Sequence, residues 1–156
     1  MDADLSIVNY PKYAKTLNGG VAVLGTGAST VGATAINVDG IAADAKVVYT
    51  FGPYGGFCEA LMISTNDTAA VNAIIYMMDG ATVHHLAVVN IPIASGTNGT
   101  APNVDVINAI QGLPINPLFK KVIQGKPNVT IKVAVLAAMT ANKILIAKSS
   151  GIDFEA

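Results

Sequence analysis

Val71-Asn-Ala-Ile-Ile-Tyr-Met-Met-Asp79-Gly80-Ala-Thr82-Val-His-His-Leu-Ala-Val-Val-Asn-Ile91 is the stretch that decides the fold. Two β-prone runs, Val71 to Met78 and Thr82 to Ile91, flank Asp79-Gly80, and Pro92 stops the second. Asp-Gly between two such runs signals a tight hairpin between antiparallel strands. In Ile74-Ile75-Tyr76-Met77-Met78 both faces of the first run are apolar. A strand of that kind is covered on both sides.

The same grammar extends outward in both directions. Upstream, Val21 to Leu24, Thr34 to Val38, Lys46 to Phe51 and Phe57 to Thr65 read as strands, separated by clusters of Gly, Pro, Asn and Asp. Downstream, Phe119 to Ile123, Val129 to Leu136 and Lys143 to Lys148 read likewise, and Ser150 to Phe154 reads as a short tail. Between Pro102 and Pro114, apolar residues at Val106, Ile107 and Ile110 fit one or two helical turns or a covering loop. Thr130-Ile131-Lys132-Val133 alternates polar outward and apolar inward. Eight or nine short strands at this spacing predict an all-β fold, an antiparallel β-sandwich of jelly-roll type. Residues 1–20 are expected to form an extended N-terminal arm that ends in the turn signal Leu17-Asn-Gly-Gly20. Residues 21–156 then form one sandwich domain, as a 156-residue chain predicts.

The chain is 52% hydrophobic and 12% charged, with a formal net charge of −1. Yet no apolar run approaches the roughly 20 residues that a membrane-spanning helix needs. The best candidate, Val129 to Met139, carries Lys132 in its middle. The apolar residues must therefore be buried by protein. A surface this poor in charge points to burial against other subunits, as a homodimer or homotrimer. All nine basic residues are lysines. Without arginine, the preferred fork for phosphate and guanine edges, nucleic-acid reading is not expected. The N-terminus, Met-Asp-Ala-Asp-Leu-Ser, has neither a basic start nor an apolar stretch, so cytoplasmic synthesis is expected and the Asn66, Asn98 and Asn128 sequons carry no meaning.

Candidate chemistry is sparse. Gly25-Thr-Gly27-Ala-Ser-Thr30 lacks the third small residue and the βαβ setting of a dinucleotide loop. His84 and His85 are adjacent on a strand, so they point to opposite faces and cannot jointly grip one metal ion. One is expected outward and the other partly buried. Cys58 reads as a small buried hydrophobe. The Gly-x-Ser-x-Gly elbow is absent, and Asp39, Asp67, Asp79 and Asp105 sit at turns, where Asp bonds its own backbone. No catalytic, cofactor-binding or metal-binding residue is assigned, and enzymatic activity is not expected.

From Ala45 to Pro92 the run Lys46-Val-Val-Tyr-Thr, Phe57-Cys-Glu-Ala-Leu-Met-Ile-Ser-Thr, Asn66-Asp-Thr-Ala-Ala-Val and Asp79-Gly80 resembles small tailed-phage virion proteins of jelly-roll type, including capsid cement or decoration proteins. Asn142-Lys-Ile-Leu-Ile-Ala-Lys and Gly151-Ile-Asp-Phe extend the resemblance over about 110 residues. It implies a structural protein on the exterior of a bacteriophage capsid, holding neighbouring copies of the major capsid protein together. Tyr10, Pro11, Tyr13 and Phe154 are the expected interface anchors, and residues 1–16 are expected to reach a neighbouring subunit. The alternative is a carbohydrate-binding or tail- and fibre-associated β-sandwich module, which the missing tryptophan weakens.

Overall fold

The structure is a computed structural model that describes residues 16–25, 45–115 and 120–154. In these residues the chain forms β1 (Thr16–Leu24), β2 (Lys46–Thr50), β3 (Gly56–Thr65), β4 (Val71–Asp79), β5 (Thr82–Ile91), β6 (Val104–Asp105), the short helix α1 (Val106–Ala109), β7 (Ile123–Gly125), β8 (Thr130–Val135) and β9 (Leu145–Asp153). Tyr10, Pro11, Tyr13, the candidate strand Thr34 to Val38 and the start of Phe119 to Ile123 lie outside the described residues.

The expected hairpin is there, shifted by one residue. Asp79 is the last residue of β4 and pairs with Thr82, so the two turn residues are Gly80 and Ala81. Gly80 takes φ = 60°, the left-handed value that a two-residue hairpin turn needs at its first position. Around this tip the antiparallel pairs nest. β4 pairs with β5, β3 with β6 and β7, β2 with β8, and β1 with β9. Lateral pairing of β3 with β9 and of β4 with β8 then gathers the nested ribbon into two sheets. Sheet 1 runs β1-β9-β3, with β6 and β7 side by side on the far edge of β3; sheet 2 runs β2-β8-β4-β5. A long antiparallel ribbon wrapped into two facing sheets is a jelly roll, so the expected all-β sandwich is observed.

The core lies between the sheets. Leu24, Cys58, Leu61, Ile63, Leu145 and Ala147 of sheet 1 meet Val48, Ile75, Ile91, Ile131 and Val133 of sheet 2, all of them buried. Full burial of each large aliphatic side chain contributes about 1.5–3 kcal/mol. Tyr49 and Phe51 close one end, their rings edge to face at 4.9 Å. α1 supplies Val106 and Ile107 to the core; Asp105 caps it by accepting from the Asn108 N–H at 3.3 Å.

Three boundaries differ most from the sequence reading; β7 takes Ile123–Gly125, so of the strand expected over Phe119 to Ile123 the described residues place only Ile123 in it. β1 begins at Thr16, so Thr16–Gly20, expected as the end of the arm, pairs with β9. Gly19 and Gly20 serve close packing there, not a turn. A Cβ on Gly20 would collide with the Val48 carbonyl oxygen, and one on Gly19 would lie 2.7 Å from that of Ser149. β9 likewise continues to Asp153, so most of the expected tail is strand. Both extensions meet at a polar seam where β1 approaches β2. The Ser149 hydroxyl accepts from the Gly20 N–H at 3.0 Å and donates to the Val48 carbonyl at 2.6 Å. The Asn18 amide donates to the Thr50 carbonyl at 2.7 Å and to the Asp153 carboxylate at 2.8 Å.

Candidate interaction face

Strand alternation and register assign the paired residues of β1, β9 and β3 in sheet 1 to a face. Ala22 and Leu24 point inward from β1, so Leu17, Gly19, Val21 and Val23 point outward. Pairing carries this across β9 and β3 in four rows. Leu17, Ile152 and Phe57 form the first; Gly19, Ser150 and Ala60 the second. Val21, Lys148 and Met62 form the third, and Val23, Ile146 and Ser64 the fourth. The outer layer of an antiparallel sandwich is ordinarily polar. Here the twelve positions on β1, β9 and β3 carry one charge, that of Lys148, and Asp105 of β6, paired with Met62, adds a carboxylate at the far end of the third row.

The face is open where it is most apolar. Leu17 is 87% exposed, Val21 63% and Val23 37%. Ile146, Ile152, Phe57 and Met62 are half-buried by their neighbours. The second row is low, since Gly19, Ser150 and Ala60 carry little or no side chain, so it forms a shallow trough between two apolar ridges. Phe154 sits at the margin beside the first ridge. Its ring packs edge to face on Phe57 at 4.9 Å, and its N–H donates to the Gly55 carbonyl at 3.0 Å. Of the four expected anchors, the described residues therefore place Phe154 beside the open face, while Tyr10, Pro11 and Tyr13 lie outside them. The sequence reading assigned none of Leu17, Val21 or Val23 to an interface. The signal was present in the alternation around Ala22 and Leu24, but reading Leu17–Gly20 as a turn hid it.

The outer face of sheet 2 carries its own apolar cluster, as the two-faced run Ile74–Met78 predicts. Ile74, Tyr76, Met78 and Ala134 are buried there, with Ala45, Val83 and Leu136 packed against them. The Tyr76 hydroxyl has no hydrogen-bond partner among the described residues, and burial raises its pKa.

Several titratable groups among the described residues are tied into the fold by burial and hydrogen bonds. Burial pushes the Cys58 thiol up to about 12 and its Sγ contacts the Ala60 carbonyl at 3.4 Å, the reverse of an activated nucleophile. Burial, then the charge of Asp153, raises the Tyr49 phenol; its hydroxyl donates to the Phe57 carbonyl at 3.3 Å. Buried Asp67 accepts from the Thr140 N–H at 2.9 Å, the Thr140 hydroxyl at 2.5 Å and the Ala69 N–H at 3.1 Å. Burial alone would raise its pKa; these bonds outweigh burial and lower it. Asp67 thereby ties the β3–β4 turn to the loop before β9. His84 and His85 are both exposed, because β5 is the outermost strand of its sheet; this corrects the expectation of one partly buried histidine. Among the described residues no group of three or more His, Cys, Asp or Glu side chains could hold a metal ion.

A shallow cavity of about 540 Å3 lies between Tyr54, Pro114, Gln124, Lys126 and Phe154. A neighbouring one of about 290 Å3, with Asp79 and His84 in its wall, shares Gln124 and Lys126 with it.

No protein family matches this chain, and no curated protein does. Among solved structures it is similar to the cyanophage Pam1 capsid asymmetric unit, with a TM-score of 0.43 and 13% identity over 97% of this chain and 97% of that one.

Proposed function

We propose that this protein is a structural virion protein that binds the outside of an assembled phage capsid and stabilises contacts between major capsid protein subunits, without catalysing a reaction. The observation that carries this reading is the open apolar face of sheet 1, with Leu17, Val21 and Val23 uncovered and Lys148 the single charge that β1 and β9 turn outward there. Such a face on a stiff two-layer block is suited to lying flat on a protein surface. Residues 1–15, with Tyr10, Pro11 and Tyr13, lead directly into β1 beside Leu17 and are assigned the role of reaching an adjacent subunit. Attachment of this kind rests on apolar burial, so it resists moderate salt better than a lysine-driven contact does. Binding to the assembled shell but not to loose capsid subunits stabilises the shell by mass action.

The test is co-sedimentation with shells emptied of this protein, followed by heating or osmotic shock of particles with and without it. Retention on shells, no binding to free subunits and greater resistance are expected. Absence from purified capsids together with equal resistance would sink the reading. The second reading, a carbohydrate-binding module, draws on half-exposed Tyr54 beside Gln124 and Lys126, an aromatic platform next to polar groups. A glycan array separates the two: binding that a Tyr54→Ala change removes would move that reading to first place.

A further inference from the structure

A β-sandwich has sheet edges, and an open edge is a template for another strand. In this fold three of the four edges are closed or blunted. β1 and β2 face each other, stitched by Ser149 and Asn18, whose bonds occupy the Val48 and Thr50 carbonyls. β2 is also short, five residues with a register irregularity between Val47 and Tyr49. The far edge of sheet 1 is split between β6, two residues long, and β7, three residues long. β5 is different. It runs for ten residues, Thr82–Ile91, pairs among the described residues with β4 alone, and contains no Lys, Asp, Glu or Pro. Val88 is 48% exposed, and His84, His85 and Asn90 are exposed as well.

We infer that β5 is a homodimerisation edge: it pairs antiparallel with β5 of a second copy about a twofold axis and joins two four-stranded sheets into one. The occupant follows from the edge's own chemistry. An uncharged strand meets its own image without like-charge repulsion, which an edge carrying several lysines would not. The free backbone groups are correctly aimed. Alternation from the closing pair Asp79–Thr82 turns the Thr82 and His84 amides toward β4 and those of Val83 and His85 toward the open side. The kink fits as well. The shift from Ile75–Ala87 to Tyr76–His85 makes Leu86 the extra residue of a bulge. An axis between Leu86 and Ala87 sets Val83 of one copy opposite Asn90 of the other and His85 opposite Val88, outward residue against outward residue, and the two kinks meet beside the axis. The outward neighbours across β4 and β5 are Met78 with Val83, Tyr76 with His85 and Ile74 with Val88. Pairing therefore continues the apolar cluster of sheet 2 across both subunits. The inference does not depend on what the face of sheet 1 binds.

Sedimentation of the full chain without any capsid tests it. A dimer at micromolar concentration is expected. Val88→Lys, an outward change on the exposed edge, and His85→Pro, which removes an outward amide, should each shift the population to monomer. Val21→Lys, on the other sheet, should leave the dimer intact. Hydrogen exchange supplies a readout that mere loss of fold does not mimic: the Val83 and His85 amides should gain protection as concentration rises, with β9 amides unchanged. A wild-type monomer, or a dimer that Val21→Lys abolishes and Val88→Lys spares, would overturn the inference while leaving shell binding to be judged separately.

Discussion

Leu17→Ala should weaken attachment strongly while leaving the isolated protein folded. The side chain is 87% exposed, on the outward face at the start of β1. The change removes three carbon groups, each worth about 0.8 kcal/mol when buried. Scaling by the exposed fraction gives about 2 kcal/mol if the partner covers the site completely. At 1.4 kcal/mol per decade this is about a 30-fold rise in Kd per contact. In the free protein the same atoms touch mostly water, so unfolding free energy should move by no more than about 0.5 kcal/mol. The assay is a titration of purified shells with labelled protein, paired with urea unfolding of the unbound chain. A dimer that engages two equivalent sites loses more than one contact, which makes the single-site figure a lower bound on the effect. A Kd within threefold of wild type (about 0.7 kcal/mol), with folding intact, would show that Leu17 stays in water on the particle and would remove the main support for sheet 1 as the binding face.

Other expectations follow from the interior. Gly20→Ala should destabilise the fold by about 3 kcal/mol, near the top of the range for overpacking, because its Cβ meets the Val48 carbonyl; urea unfolding with a change below about 0.5 kcal/mol would show that β1 and β2 are not in close contact. Asp67 has a lowered pKa, so its contribution is fully present above the ordinary carboxylate pKa of about 3.9 and fades as pH falls through its lower folded value. Asp67→Asn should cost about 1–3 kcal/mol at neutral pH and flatten that acid limb, whereas an unchanged acid limb would assign it to another group. Cys58, fully buried with its thiol pushed up to about 12, should resist alkylation at mildly alkaline pH until the protein unfolds; rapid labelling of the native state would contradict its burial.

The elements legible in the sequence are those whose local signals agree with their place in the fold. Val71–Ile91 declares a hairpin through Asp79-Gly80, and the double-faced Ile74–Met78 declares cover on both sides; both appear, as the β4–β5 pair and the buried outer cluster. Lys46–Phe51 and Phe57–Thr65 are found within one residue of their expected limits. What could not be read is governed by contacts distant in sequence. Gly19 and Gly20 look like a turn because glycine marks turns, yet here they make room for Val48 and Ser149, more than 25 and 125 residues away. The identity of edge strands is equally non-local. Nothing in Thr82-Val-His-His states that its far side is open, so the exposure of both histidines follows from strand order alone. Asp67 looks like any turn aspartate, and its buried bond to Thr140 spans 73 residues.

In the proposed role, the placement of Lys148 would reconcile an apolar binding face with a protein that must stay dispersed before assembly. It stands in the third row between Val21 and Met62, exposed and central. A lysine can lay its methylenes along apolar neighbours while its ammonium stays in water. In the free protein it therefore breaks the face into two smaller apolar areas, Leu17-Ile152-Phe57 on one side and Val23-Ile146 on the other, each less able to stick to another copy. On a partner that offers an acceptor at that point, the same ammonium gains a bond instead of losing its hydration. On an apolar partner, it must be dragged from water at a cost. In the proposed role this charge would select for a surface with a matching polar group and against indiscriminate hydrophobic contact, the double action by which specific interfaces reject wrong partners. Individual attachments built this way are modest. On the proposed shell binding and β5 pairing, repetition over a symmetric shell and the coupling of two faces would turn modest contacts into stable attachment without a larger apolar surface on the free protein.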